Sequence, residues 1–268
     1  MSRLEQLPAG LLAALAERRL LKVIAGLTNF DAAAVERISR AAGQGGADLV
    51  DVACDPALVQ LAAGVSGLPI CVSAVDPELF PAAVAAGATM VEIGNYDAFY
   101  PQGRTFAAAE VLELTLRSRA LLPAVVLSVT VPHWLPLDQQ EQLALELVAA
   151  GADIVQTEGG TSARPFSAGS LGLIEKAAPT LAAAHAISRA LAASPSQASS
   201  LGTPVLCASG LSAVTVPLAI AAGASGVGVG AAVNRLADPL AMVAAVRGLR
   251  DALGMEALNR RLTWVKPG

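Results

Sequence analysis

Ala-Ala-Gly-Gln-Gly-Gly-Ala-Asp, at residues 41–48, returns in shortened form three times along the chain. The later copies are Ala-Ala-Gly-Ala-Thr at 85–89, Ala-Ala-Gly-Ala-Asp at 149–153 and Ala-Ala-Gly-Ala-Ser at 221–225. Each copy ends an Ala-rich segment of helical period and leads into a short apolar run. Glycine suits a helix end because it adopts the left-handed conformation without steric cost. The four copies therefore predict four repeated βαβα units.

Eight short apolar runs alternate with helical segments, a pattern typical of repeated βα units and a parallel sheet. The predicted strands are residues 21–26, 49–53, 70–73, 90–93, 124–129, 154–157, 204–208 and 226–230. Each Ala-Ala-Gly copy leads into an even-numbered strand, and a helix at 8–19 precedes the first one. No GxGxxG motif follows the first strand, which argues against an open dinucleotide-binding sheet. We therefore predict a single (β/α)8 TIM barrel over residues 1–268, with the N-terminal helix covering the barrel floor.

Charge and cysteine content exclude several classes of protein. The net charge is −4 and basic residues form no cluster, so we expect neither nucleic acid nor an anionic membrane as a partner. No apolar run reaches the roughly 18 residues of a membrane span. The three cysteines are odd in number and form no CxxC pair, which predicts a reduced, cytoplasmic protein without a structural zinc or another cofactor.

Two loops rich in small residues follow the seventh and eighth strands. They contain Cys207-Ala208-Ser209-Gly210 and the glycine-rich run at 226–232. In a barrel these loops converge, and small residues let backbone N–H groups approach an anion near a following helix. The predicted phosphate-binding residues are Ser209, Gly210, Gly228, Gly230 and Ala231. The alternative is that these glycines serve only tight turns and close helix packing.

Charged residues within apolar strands form a second group of candidates. Lys22 lies in the first predicted strand, Asp51 in the second and Glu92 in the fourth. A buried charge is costly unless it is paired, so an inward Lys22 should meet Asp51 or Glu92. A desolvated lysine beside carboxylates could form a Schiff base or transfer protons, which makes these three the predicted catalytic residues. A purely structural ion pair in the lower barrel explains the pattern equally well.

Two long connections, 94–104 after the fourth strand and 158–170 after the sixth, leave the face where barrel enzymes act. Long ordered loops in compact domains are usually lids or binding loops. Their polar residues Asn95, Glu158, Thr161 and Ser162 are therefore predicted to bind substrate. The alternative is that the loops are mobile and without function.

Cys54 and His133 complete the predicted substrate-binding set. Cys54 stands just after the second strand near a helix start, where a thiol can become nucleophilic, although a small apolar filler is the commoner role. His133 lies on the loop after the fifth strand and could act as a general acid or base. It could equally cap a backbone group. No grouping of His, Cys and carboxylates has zinc-ligand spacing, so no metal is expected.

Several longer motifs resemble a known family. They are KVIAGLTNFD at 22–31, VDVACDP at 50–56, EIGNYD at 92–97, TVPH at 130–133, QTEGGTS at 156–162 and LCASGL at 206–211. Together they resemble the hypothetical chloroplast reading-frame family number twenty-three of cyanobacteria and algal plastids. The resemblance implies an aldolase-type barrel, a photosynthetic origin and, for the algal relatives, the plastid stroma. It implies no reaction.

A looser resemblance is to barrel synthases and epimerases of phosphorylated metabolites. In one of these, a furan-phosphate synthase, a Schiff-base lysine follows a similar Val-Asp-Val phrase at the end of strand two. Ala53 and Cys54 occupy that place here, so Lys22 on the neighbouring strand would have to supply the amine.

The leading hypothesis is thus an enzyme of lyase, isomerase or synthase type that acts on a small phosphorylated metabolite. The alternative is a non-catalytic metabolite-binding or regulatory protein, and a third is an interaction protein built on the Ala-rich helices, because barrels host many functions. Helices at 177–193 and 212–222 are apolar nearly all round, which predicts a homo-oligomer.

Overall fold

Eight parallel strands pair in chain order and close into a barrel, with β1 hydrogen-bonded to β8. The computed structural model describes residues 2–194 and 202–262, with side chains up to residue 254. The strands are β1 (Leu20–Gly26), β2 (Leu49–Ala53), β3 (Ile70–Ala74), β4 (Met90–Ile93), β5 (Val126–Thr130), β6 (Ile154–Gln156), β7 (Val205–Ala208) and β8 (Gly226–Val229). The predicted (β/α)8 barrel is confirmed, with strand ends that differ by one or two residues.

Helices surround the barrel and connect its strands. They are α1 (Ala9–Ala16), α2 (Ala32–Gly45), α3 (Pro56–Ser66), α4 (Phe80–Ala85), α5 (Ala108–Leu121), α6 (Leu137–Ala149), α7 (Gly169–Ala193), α8 (Val216–Ala221), α9 (Ala231–Asn234) and α10 (Pro239–Leu262). Short 3-10 turns occupy Arg3–Gln6, Pro77–Leu79, Tyr96–Ala98 and Tyr100–Gln102. Among the helices of the described ranges, none has the length and apolar character to cross a membrane.

The Ala-Ala-Gly copies end helices as predicted, with one difference. In the last three copies the glycine is left-handed, with φ of 110° at Gly87, 104° at Gly151 and 118° at Gly223. In the first copy Gly46 takes this role, with φ of 85°. Gly43 stays inside α2, where a Cβ would lie 2.4 Å from the carbonyl oxygen of Ser66. It therefore permits close approach of the neighbouring helix α3.

The barrel floor is closed by the N-terminal segment. Leu4, Leu7, Leu11 and Leu15 form one apolar cluster with the lowest inward side chains of the strands, and α1 supplies part of this cover. Helix α1 is shorter than the predicted 8–19, because Arg18 is left-handed with φ of 56° and turns the chain into β1. The predicted position of the helix is confirmed.

Two other helices differ from their predicted bounds. Helix α7 begins at Gly169 rather than at 177, and α8 begins at Val216 rather than at 212. Residues before α8 form a turn in which the Ser212 N–H donates to the Thr215 hydroxyl at 2.9 Å. Such side-chain bonds offer the backbone an alternative to a helix.

Candidate functional site

A cavity of about 200 Å³ lies at the carboxyl ends of the strands. Six of the predicted site residues line it: Asn95, Thr161, Ser209, Gly210, Gly230 and Ala231. Ile24, Asp97 and Asn234 are also in its wall. The loops after β4, β6, β7 and β8 thus meet around one space, on the face where TIM barrels place their ligands.

The loop after β7 is tightly constrained at the cavity. Ser209 and Gly210 both have φ of 75°, a conformation that is costly for a serine and common at functional sites. A Cβ on Gly160 would lie 2.3 Å from the carbonyl oxygen of Ser209, so only glycine fits there. The Ser209 hydroxyl accepts the Thr161 N–H at 2.9 Å. These contacts hold the small-residue wall of the cavity in one arrangement.

Next to this wall, Asp97 lines the cavity and belongs to a group with a second carboxylate and an imidazole. The Ser209 hydroxyl donates to Asp97 Oδ2 at 2.6 Å, and Asp97 Oδ1 lies 3.9 Å from His133 Nδ1. His133 Nδ1 lies 3.1 Å from Glu158 Oε1. The Tyr100 hydroxyl also donates to Glu158. Loops from three consecutive strands, β4, β5 and β6, supply these four side chains.

Glu158 is nearly buried at 3% exposure and accepts backbone bonds as well as side-chain ones. The N–H groups of Asp97 and His133 donate to it at 3.3 and 3.2 Å. Burial raises the pKa of Glu158, while the bonds from His133 and Tyr100 act in the opposite direction. The carboxyl is therefore held rigidly just behind the cavity wall.

Near the loop after β6, Lys176 has two cationic neighbours, Arg164 and Arg235, and none of the three forms an ion pair with a carboxylate among the described residues. Lys176 Nζ donates to the carbonyl oxygens of Thr161 and Ala163, at 3.3 and 3.1 Å. The pKa of Lys176 is lowered, first by burial and then by the positive charges of Arg235 and Arg164. Within the described part of the chain, neither arginine takes part in an ion pair. An excess of positive charge near a cavity favours an anionic ligand.

The predicted catalytic residues lie deeper, in a polar layer inside the barrel. Lys22 donates to Glu92 Oε2 at 2.7 Å, and both are fully buried. Ser128 and Gln156 also donate to Glu92, at 2.8 and 2.7 Å. The Ser73 hydroxyl donates to Asp51 Oδ1 at 2.6 Å. The inward lysine thus meets a carboxylate inside the barrel.

Within this layer, the charged neighbours of Lys22 and its burial act in opposite directions on its pKa. Burial alone would lower the pKa of Lys22, but Glu92 and Asp51 outweigh it and raise that pKa above its ordinary value. Burial, assisted by Glu92, raises the pKa of Asp51 to about 7. Lys22 does not line the cavity, because Ile24, the next inward residue of β1, forms the wall above it. Asn95 connects the two levels, since its amide donates to Asp51 and Glu92 and also faces the cavity.

The remaining predicted residues are not in the cavity wall. Gly228 faces the barrel interior, where a Cβ would lie 3.0 Å from both Ala208 Cβ and Ile24 Cδ1. Cys54 packs in the outer core, and burial followed by nearby Asp55 raises its pKa to about 12, so the thiol stays protonated. His133 and Glu158 lie behind Asp97, and Ser162 follows Thr161 outside the wall.

Sequence reasoning missed Asp97 in the cavity wall and four polar or charged residues near the loops that form it: Tyr100, Arg164, Lys176 and Arg235. Asp97 and Tyr100 belong to the quoted loop after β4, so the loop length was a usable signal. Lys176 lies on α7, and Arg235 directly follows α9. In a sequence, these two residues cannot be distinguished from ordinary surface charges on helices.

Fold and cavity together define an aldolase-type (β/α)8 barrel with a polar interior layer. The family model described as "Protein of unknown function (DUF561)" matches residues 7–259, and the chain belongs to this family. "Uncharacterized protein ycf23" of Cyanophora paradoxa is 42% identical over 202 residues, covering 75% of this chain and 79% of that protein. Its namesake in Pyropia yezoensis is 36% identical, covering 74% and 69%. The resemblance seen in the sequence is confirmed.

Solved structures of similar fold are TIM-barrel enzymes. Thiamine phosphate pyrophosphorylase of Pyrococcus furiosus has a TM-score of 0.56 and 16% identity, covering 90% of this chain and 98% of that one. A 3-hexulose-6-phosphate synthase has a TM-score of 0.58 and 16% identity, covering 87% and 99%. A geranylgeranylglyceryl phosphate synthase of Thermoplasma acidophilum, in complex with sn-glycerol-1-phosphate, has a TM-score of 0.55 and 13% identity, covering 91% and 97%. At these identities the likeness concerns the fold alone.

Proposed function

We propose that the protein is an enzyme of lyase, isomerase or synthase type that binds a small phosphorylated metabolite at the barrel mouth. The observation that supports this most is the cavity itself, with Ser209–Gly210 and Gly230–Ala231 in its wall and Lys176 hydrogen-bonded to the carbonyl oxygen of Thr161, another wall residue. A phosphate would lie between these loops and Lys176. Two fold neighbours are named for phosphorylated compounds, which is consistent with a ligand of this class.

Two further features of the wall support binding of a polar molecule. Asn234 Oδ1 and Asp97 Oδ1 are buried and have no hydrogen-bond partner among the described residues. Buried acceptors without partners are costly, so a ligand that donates hydrogen bonds to them would be favoured. We propose that Asn95 and Thr161 also contact this ligand, while His133, Glu158 and Ser162 act from behind the wall.

The alternative function, a non-catalytic metabolite-binding or regulatory protein, is favoured by one observation. Lys22 is enclosed below Ile24 and paired with Glu92, so the predicted amine does not reach the cavity. Asp97 nevertheless puts a carboxylate in the cavity wall, with His133 and Glu158 close to it. The enzyme therefore remains our proposal, with Lys22, Asp51 and Glu92 as a supporting layer.

Calorimetric titration with inorganic phosphate tests the proposed site. We expect saturable binding, weakened at least tenfold in K176M and R235Q, which remove positive charge beside the cavity. R189Q is the matched control, because Arg189 is exposed on α7 away from the cavity. Binding that is absent, or equal in all four proteins, would contradict the proposal.

We also propose a homo-oligomer in the cytoplasm, or in the plastid stroma for the algal relatives. Leu171 at the start of α7 is 57% exposed, and Val214 before α8 is 45% exposed. A second copy of the chain would cover such apolar area. Sedimentation at micromolar concentration should show a dimer or a larger oligomer. Detection of the monomer alone would contradict the proposed homo-oligomer.

A further inference from the structure

Three potential metal ligands meet at the acidic edge of the mouth. Asp97, His133 and Glu158 each offer one atom, and the three atoms lie within 4.8 Å of one another. The closest pair, His133 Nδ1 and Glu158 Oε1, is 3.1 Å apart. Ligand atoms around one ion at bond lengths near 2.1 Å lie about 3.0–3.4 Å apart, so this pair already has a coordinating separation.

Asp97 is the side chain that must move. Its Oδ1 atom is 3.9 Å from His133 Nδ1, so a shift of about 1 Å would complete the set. This oxygen is buried and, among the described residues, accepts no hydrogen bond. A buried carboxylate oxygen without a donor is expensive, and a cation bound to it would remove that cost. Asp97 also lines the cavity, which gives an ion a route of entry.

The surrounding contacts orient the ligands as outer contacts do in metal sites. The Ser209 hydroxyl holds Asp97 Oδ2 at 2.6 Å, which leaves Oδ1 as the available atom. The Asp97 N–H donates to Glu158 Oε2 at 3.3 Å, so the other oxygen, Oε1, faces the imidazole. Bonds of this kind fix the orientation of ligands and tune their basicity. Tyr100, which now donates to Glu158, would remain as such a support.

We propose that Asp97, His133 and Glu158 bind one divalent cation of the Mn²⁺ or Zn²⁺ class. Two carboxylates and a neutral imidazole give a charge of −2, which matches such an ion, and mixed nitrogen and oxygen donors suit first-row metals. Ca²⁺ fits poorly because it requires six to eight oxygen ligands. The sequence predicted no metal, since its spacing rules look for ligands that are close along the chain.

The expected role of the ion rests on the proposed function, although its binding does not. Ser209, next to Gly210, hydrogen-bonds to Asp97, so a phosphate held near Lys176 and Gly210 would place the rest of a small ligand beside Asp97. An ion there would polarise a carbonyl or hydroxyl oxygen of that ligand as a Lewis acid. The cations and the metal ion would then hold adjacent parts of one molecule.

The test is titration of the metal-free protein with Mn²⁺, in which the electron paramagnetic resonance signal measures the concentration of free Mn²⁺ at each step. We expect one Mn²⁺ per chain in the wild type, displaced by Zn²⁺ and not by Ca²⁺. D97N, H133N and E158Q should each weaken binding at least tenfold. The matched controls E113Q and H185N change an exposed glutamate on α5 and an exposed histidine on α7, and should bind as the wild type does.

Circular dichroism confirms that each variant is folded. If E158Q fails to fold, because Glu158 accepts several bonds, D97N and H133N decide the outcome. The proposal would be overturned if the wild type bound neither Mn²⁺ nor Zn²⁺. It would also be overturned if D97N and H133N bound Mn²⁺ as tightly as the wild type does. Phosphate calorimetry on the same samples separates the two proposals: phosphate binding without metal binding removes only the metal site, and the reverse removes only the phosphate site.

Discussion

The polar layer inside the barrel and the polar edges of its mouth contain similar residue types but differ in how their charges are satisfied. Inside, Lys22 is fully buried and hydrogen-bonded to Glu92, which accepts three further donors. At the mouth, Arg164 and Arg235 have no ion pair in the described ranges, and Asp97 Oδ1 has no donor.

The pairing of charged groups separates a structural role from a ligand-binding one. A buried charge must be paired inside the protein, because water cannot solvate it. A partly exposed charge at a cavity is solvated by water until a ligand binds, so it needs no partner within the protein. This difference is why we assign binding to the mouth and support of the barrel to Lys22, Asp51 and Glu92.

Lys22→Met should give the largest effect on stability. It leaves Glu92 buried without a cation, and losing one partner of a buried pair costs about 3–5 kcal/mol in free energy of unfolding. Urea denaturation measures this loss, and the double variant K22M/E92Q should recover much of it. R40A is the control, because the exposed pair of Arg40 with Glu36 contributes at most about 1 kcal/mol. If K22M is stable and binds phosphate but no longer converts a phosphorylated substrate of the wild type, Lys22 is catalytic instead.

Asp51 should make stability depend on pH. Its pKa of about 7 in the fold exceeds the ordinary 3.8, so between these values the folded state retains a proton that the unfolded chain has released. Stability is therefore highest below the ordinary value and falls as pH rises, by at most about 1.4 kcal/mol per pH unit, levelling off near neutrality. Urea denaturation from about pH 5 to about pH 7 should show this slope in the wild type and a smaller one in D51N. Equal slopes would mean that Asp51 is ionised throughout.

Gly160→Ala should weaken phosphate binding without touching the ligand. The added Cβ would meet Ser209 O at 2.3 Å and Gly210 Cα at 2.5 Å, so the cavity wall must shift. We expect at least a tenfold loss of affinity, about 1.4 kcal/mol, by calorimetry. Gly64→Ala in α3 is the matched control, because an added Cβ there meets nothing within 4 Å. Unchanged affinity in G160A would place the phosphate elsewhere.

The smallest expected effect is that of salt. Because Arg164 and Arg235 are exposed, their attraction for phosphate is screened when ionic strength rises. We expect affinity to fall about threefold between roughly 0.05 and 0.5 M sodium chloride, and the fall should shrink in R235Q. Affinity that does not respond to salt would show that the exposed arginines play no part.

Much of the fold could be predicted because its signals are local. Each Ala-Ala-Gly copy ends a helix, and each apolar run forms a strand, so neighbouring residues suffice for both. The start of α7 was missed because Gly169 and Gly172 weaken the helical pattern, yet Gly172 fits where a Cβ would lie 2.1 Å from Ser167 O. Close packing at Gly172 therefore outweighs the low intrinsic helix propensity of glycine at the start of α7.

The wall residues predicted from the sequence lie on four loops, because small or polar residues just after a strand are a local signal. Ser209 and Gly210 are adjacent, and their backbone character was visible in the sequence. The Lys22 pair was expected from the cost of burial, but nothing in the sequence shows that Ile24 separates it from the cavity. Asp97, His133 and Glu158 belong to three different loops, so only closure of the barrel brings them together.

A crystal structure of the wild-type protein with inorganic phosphate tests most directly whether the mouth, and not the interior layer, is the ligand site. We expect phosphate between Ser209–Gly210 and Gly230–Ala231, near Lys176, with Lys22 still hydrogen-bonded to Glu92 beneath Ile24. Phosphate bound away from these loops, or Lys22 released from Glu92 and in contact with the phosphate, would contradict it.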